Sequence, residues 1–147
     1  MDILTDILGL TRSFAHGIDQ TPRACYHVQA GGEPMHEIGV VRSMLRTVED
    51  FARENGIDKV VTIVVEIGDL SMIVPKYVEE IYSAVVRDTP FEGTELVVEV
   101  EEGQGVCRDC RRAFPIVKYE GYCPRCGKRN ADIISGRDFI IKEIVVP

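Results

Sequence analysis

Two cysteine pairs constrain this chain more than any other feature: Cys107-Arg-Asp-Cys110 and, twelve residues later, Cys123-Pro-Arg-Cys126. Thiols with two residues between them share one tight turn. Two such turns facing each other place four sulfurs at the corners of a tetrahedron, the arrangement Zn(II) prefers. Pro124 stiffens the second turn, and Gly127 follows it at a position where such knuckles take positive φ. The intervening Arg111–Tyr122 is long enough for two short strands and a turn, so the pattern predicts a zinc ribbon over residues 103–130. A unit of about 25 residues buries too little apolar surface to fold alone, so metal binding supplies its folding free energy. Four sulfur ligands leave no open position for water or substrate, which makes the zinc structural. A rubredoxin-like iron site uses the same ligands, and spacing alone leaves it open.

The remaining composition is that of a soluble protein, with 45% hydrophobic and 28% charged residues in 147. No apolar run approaches the ~18 residues of a membrane span, and Asp2 and Asp6 sit where a secretory signal carries positive charge. With four of five cysteines committed to metal, a reducing cytoplasm is the expected compartment, and Cys25 is a free thiol. The ribbon segment Cys107–Asn130 holds seven basic residues against two acidic ones, a formal +5, which leaves −12 on the rest of a chain whose total is −7. That asymmetry fits neutralisation of a doubly negative zinc–thiolate cluster. It also fits docking to an acidic protein, or a nucleic-acid-binding zinc ribbon in which Tyr119 and Tyr122 stack on bases. The acidic body, which repels phosphate, argues against nucleic acid.

Taken in order, residues 1–34 form an N-terminal extension, flexible or foreign to the natural chain. Ile3, Leu4, Ile7 and Leu8 have helical spacing, and Thr21-Pro22, Gly31-Gly32 and Pro34 read as loop. His16, Cys25 and His27 are isolated in it. From Met35 the pattern sharpens. Ile38, Val41, Met44, Leu45, Val48, Phe51 and Ala52 make one stripe of a helix from about His36, closed by a left-handed cap at Asn55-Gly56. Lys59–Ile67 reads as a strand, with Val61, Ile63, Val65 and Ile67 on one face. Pro75 opens a second helix whose stripe is Val78, Ile81, Tyr82, Val85 and Val86. Thr94–Glu101 alternates, with Leu96, Val98 and Val100 inward. In the return strand Phe139–Val146 the apolar phase changes, predicting a bulge near Lys142-Glu143. The expected fold is α+β: a three-stranded sheet with two helices over 35–102 and 131–147, plus the inserted four-cysteine ribbon.

Met35-His36-Glu37 is a second metal-binding pattern when Met35 is the first residue. The α-amine, the His36 backbone nitrogen and the His36 imidazole then form fused chelate rings, and Glu37 adds a further donor. Nitrogen-rich, near-planar donors suit Ni(II) or Cu(II). The chain carries no Ser/His/Asp set, phosphate loop or open zinc position, so catalysis is not expected.

The Met35-His36-Glu37 opening with its helix resembles the start of the HypA/HybF family, nickel metallochaperones of [NiFe]-hydrogenase maturation. Glu66-Ile-Gly-Asp-Leu-Ser71, the proline-led helix at Pro75, Phe91-Glu-Gly-Thr-Glu-Leu96, the cysteine pairs and Ser135-Gly-Arg-Asp-Phe139 follow in family order, covering Met35–Val146. The resemblance implies nickel carried by His36, with Glu37 and Met35 beside it, and zinc held by Cys107, Cys110, Cys123 and Cys126. It further implies Ni(II) delivery to the hydrogenase large subunit, a HypB-family GTPase partner, and in some organisms supply of urease maturation proteins. Monomer and homodimer both stay open. In the family the tripeptide begins the chain, whereas here Pro34 acylates Met35. The expectation is therefore that the natural start is Met35, or that the extension rebuilds the site with His16 or His27.

Overall fold

The computed structural model describes residues 26–27 and 37–147. Helix α1 spans Glu37–Glu54 and buries Val40, Val41, Met44, Leu45, Val48 and Phe51. Ile38, expected in that stripe, is 41% exposed, and Val40 is fully buried instead. On a 3.6-residue wheel Ile38 falls at the flank of the stripe, where chemical type alone does not decide burial. The helix ends as its Asn-Gly pair predicts. Gly56 takes φ 63°, the Ile57 N–H reaches back to the Ala52 carbonyl at 2.8 Å, and the Asn55 amide donates to the Phe51 carbonyl at 2.8 Å.

Strand β2 (Thr62–Gly68) crosses through α2 (Pro75–Val85) to β3 (Glu95–Glu101), pairing in parallel from Thr62↔Glu95 to Gly68↔Glu101. The return strand, β7 (Phe139–Val145), lies antiparallel on the other side of β2. The register jumps between Val64↔Glu143 and Val65↔Ile141, which leaves Lys142 as the extra residue of a bulge. The bulge lets Phe139, Ile141 and Ile144 all face the core despite their odd and even numbers. They pack there with Ile63, Val65 and Ile67 of β2 and with the buried stripes of both helices.

The opposite face is charged. Lys142 Nζ lies 3.2 Å from Glu66 Oε2 and also pairs with Glu99. Val100, expected to point inward, is 60% exposed, and Leu96 and Val98 are only partly covered. The cause is position, since β3 is the sheet edge, with β2 its one neighbour. The strand begins at Thr62 rather than Lys59, and Val61, expected on the same face as Ile63, lies just before it and is 39% exposed.

Behind the crossover, Tyr82 Oη donates to the Thr94 carbonyl at 2.9 Å, and Thr94 Oγ1 donates to the Val60 carbonyl at 2.9 Å. Burial pushes the Tyr82 phenol up to about 12.

A two-residue strand, β1 (Tyr26–His27), extends the body sheet to the order β1-β7-β2-β3. It comes from the segment read as loop, and pairs Tyr26↔Ile141 and His27↔Ile140 on the otherwise open edge of β7. A free strand edge accepts backbone partners whatever their side chains, so no sequence pattern announces them.

The second sheet is built from β4 (Gln104–Cys107) between β5 (Ala113–Pro115) and β6 (Ala131–Ile133). The expected two strands between the cysteine pairs are one strand only. Residues 116–122 instead close turns, with Glu120 and Gly121 at φ 53° and 82° and the Gly121 N–H on the Ile116 carbonyl at 2.9 Å. The other two strands flank the cysteines, so the sheet reaches Ile133 rather than stopping at Asn130.

Candidate metal centre

Both cysteine pairs are built by one backbone device. In the first, the Cys107 N–H donates to the Arg112 carbonyl at 3.0 Å and the Arg111 N–H to the Cys107 carbonyl at 2.9 Å. In the second, the Cys123 N–H donates to the Lys128 carbonyl at 2.9 Å and the Gly127 N–H to the Cys123 carbonyl at 2.8 Å. Each loop turns back through a left-handed residue, Arg111 at φ 59° and Gly127 at φ 73°.

The two loops face each other across four sulfurs that all lie within 4.8 Å of one another. Cys107 Sγ is 3.6 Å from Cys126 Sγ, and Cys110 Sγ is 3.4 Å from Cys123 Sγ. A tetrahedron with metal–sulfur bonds of about 2.3 Å has edges of about 3.8 Å, so these two edges are within a few tenths of an ångström of that figure and none of the six exceeds it by more than about 1 Å. Cys107 and Cys123 are buried against Phe114, with Ile116 and Ala131 beside them. Cys126 is exposed.

The electrostatics point the same way. Backbone amides, that of Cys126 foremost and that of Arg125 next, hold the Cys123 sulfur as thiolate and outweigh burial, bringing its pKa down to about 6. At Cys126 the Lys128 amide favours ionisation. Desolvation and the crowding thiols of Cys107 and Cys123 prevail, and the pKa rises to about 11. Cys110 is likewise raised, the help of the Arg112 amide being overcome by Cys123, desolvation and Cys107. Four thiols this close resist ionising together, and a dication at their centre removes that resistance. The donor set therefore fits a closed, sulfur-only metal site.

Around the cage, charged groups tie the ribbon together. Arg108 grips Asp132 of β6 through Nε at 2.9 Å and Nη2 at 2.6 Å. The pairing raises Arg108 and holds the Asp132 carboxyl below the usual range. Asp109 accepts from the Asn130 amide and from Lys128 Nζ at 3.2 Å, and its carboxyl is lowered by Asn130 first and Lys128 second. Asn130 also lies 3.6 Å from Cys107 Sγ through Oδ1. These supporting residues are absent from any reading of the motif. The one local signal is an aspartate inside the first cysteine pair.

Arg129 sits over the Tyr122 ring at 5.5 Å and Lys118 over Tyr119 at 5.4 Å. Much of the basic charge thus has a partner inside the ribbon, which leaves less of it for phosphate.

Of the residues assigned to nickel, Glu37 is the first residue of α1 and half-buried. Met35 and His36 lie outside the described residues, as do His16 and Cys25, while His27 contributes backbone to β1. The structure brings the four cysteines together. No described helix is long and apolar enough to cross a membrane.

Fold and cage together define a metal-binding α+β protein with a four-cysteine ribbon sheet. The chain belongs to the HypA family: the family model for hydrogenase/urease nickel incorporation, metallochaperone, hypA matches residues 35–146. Among curated relatives, hydrogenase maturation factor HypA of Geobacter metallireducens is 38% identical over 112 residues, 76% of this chain and 99% of that one. HypA of Geotalea uraniireducens is 37% identical over the same shares. HypA of Aquifex aeolicus is 37% identical over 110 residues, 75% and 96% of the two chains. The solution structure of the Ni metallochaperone HypA from Helicobacter pylori shares the fold, with TM-score 0.56 at 24% identity over 76% of this chain and 97% of that one.

Proposed function

We propose that this protein is a cytoplasmic nickel metallochaperone that binds Ni(II) at Met35-His36-Glu37 and delivers it to the large subunit of a [NiFe]-hydrogenase, working with a HypB-family GTPase. Family membership over residues 35–146 is the observation that carries this reading. Supporting it is a division of labour in the donor chemistry. The sulfur cage is closed and suits a resident Zn(II), which holds the ribbon together and leaves no position for cargo. Exchangeable nickel therefore needs another site, and the nitrogen-rich tripeptide at the head of α1 supplies donors of the right type.

The domain assignment follows: 35–102 and 131–147 form the nickel-binding body, 103–130 the zinc ribbon, and 1–34 an extension. With Pro34 acylating Met35, the amine donor is missing from the full chain. His36 is then the principal ligand, with Glu37 beside it, and His16 or His27 replaces the amine. Transfer proceeds by ligand exchange, the recipient's donors displacing the ligands of nickel one at a time.

Calorimetric Ni(II) titration of the zinc-loaded full chain, of a chain starting at Met35, and of His36→Ala in both tests this directly. Tight nickel binding is expected in both parents and absent from both variants, with zinc content unchanged. Nickel uptake unaffected by the substitution in both lengths refutes the carrier assignment.

A further inference from the structure

Two stretches join the ribbon sheet to the body sheet: residues 102–103, leaving β3, and 134–138, returning to β7. Both run against the turn that follows β2. The contact is backbone on backbone. A Cβ on Gly68 would lie 2.0 Å from the Gly136 carbonyl oxygen, and one on Gly136 would lie 2.3 Å from Gly103 Cα. Gly136 also takes φ 88°. No residue but glycine fits such an approach.

Hydrogen bonds lock the same three segments. The Leu70 N–H donates to the Gly136 carbonyl at 2.8 Å, and the Asp69 N–H to the Glu101 carbonyl at 2.9 Å. Asp69 Oδ1 accepts the Gly103 N–H at 2.8 Å, and Glu101 Oε2 accepts the Gly136 N–H at 3.2 Å. Asp69 thus holds the outgoing chain twice, once by its main chain beside the end of β3 and once by its carboxylate at the residue before β4.

We infer that Asp69 is a positioning residue whose carboxylate sets the orientation of the four-cysteine ribbon on the α+β body, making the ribbon a fixed arm. The reason is mechanical. The two bonds of Asp69 anchor Glu101 and Gly103, so the peptide units between them cannot rotate independently of the body. Without the carboxylate, the buried Gly103 N–H loses its acceptor and the outgoing connection must shift to bring it to water, leaving the return stretch clamped at Gly136 as the hinge on which the ribbon turns, while the cage and the body core keep every contact they make. The inference goes beyond the nickel reading and stands or falls separately from it.

The test uses the zinc-loaded full chain as parent, Asp69→Ala and Asp69→Asn, the asparagine keeping an oxygen acceptor in place. Residual dipolar couplings and 15N relaxation report whether residues 104–133 and the body tumble as one unit. Zinc content and thermal melting are recorded alongside. In the parent and in Asp69→Asn one alignment tensor fits both parts. In Asp69→Ala the ribbon couplings shrink relative to those of the body, with zinc unchanged and melting only slightly lowered by the lost Gly103 bond. Parent-like couplings in Asp69→Ala overturn the inference. So does loss of zinc or of body stability in that variant, which would make Asp69 a folding residue, and so does release of the ribbon in Asp69→Asn.

Discussion

Arg111 and Gly127 occupy the same place in their respective cysteine loops, each donating its N–H to the carbonyl of the loop's first cysteine from a left-handed backbone, at φ 59° and 73°. Glycine takes that conformation freely; arginine does so under strain. A Cβ on Gly127 would meet nothing within 4 Å, so only backbone strain opposes a side chain there. Gly127→Ala is therefore expected to destabilise the ribbon by about 1 kcal/mol, and Arg111→Gly to leave it neutral or slightly firmer. Competition for zinc with a chromophoric chelator, together with thermal melting, ranks the two against the parent.

Cys107 is the most deeply buried ligand of the cage and also the last residue of β4. Cys107→Ala is expected to lower zinc affinity by orders of magnitude and unfold residues 104–133, because that sheet has little apolar core beyond Phe114 and its neighbours. The helical signals of the body are expected to persist in NMR spectra. A variant that kept both zinc and native melting would refute the metal-stapled ribbon.

The bulge at Lys142 separates two effects that look alike in sequence. Lys142→Ala removes exposed ion pairs with Glu66 and Glu99 and is expected to change stability very little. Deleting Lys142 instead slips the strand by one residue and turns either Phe139 and Ile141 or Ile144 out of the core. The deletion should leave the body unfolded at room temperature, as circular dichroism would report.

Tyr82 gives the body an alkaline limit. Its folded pKa, about 12, lies above the ordinary value of 10. Above pH 10 the unfolded chain loses this proton while the folded chain keeps it, so this contribution to stability is whole below pH 10 and is lost as pH rises to 12. Tyr82→Phe forgoes the bond to the Thr94 carbonyl and is expected to be about 1 kcal/mol less stable at pH 8. It should then lose less stability than the parent between pH 8 and pH 11 in urea titrations.

Local signals were legible where chemistry and period coincided. The four cysteines, the Asn55-Gly56 cap, the proline-led helix and the phase change in β7 each follow from residue type and spacing within a few positions. Burial at the margins did not. Ile38 and Val100 are apolar, yet one sits at the flank of its helix stripe and the other on an edge strand, and only the packed neighbours decide what covers them. The pairing of Tyr26 and His27 with β7 likewise depends on a free edge more than 100 residues away in the chain.

By itself the sequence determined the four-cysteine motif, both helices, the three long strands of the body, and the order of motifs that marks the family, because ligand spacing and hydrophobic period act within a few residues. Tertiary structure alone decided which carboxylates and amides brace the cage, and how Gly68, Asp69, Gly103 and Gly136 join the two sheets. The contacts that brace the cage join residues 19 to 24 positions apart and those between the sheets residues 33 to 68 apart, and their geometry exists only once the backbone has closed around them.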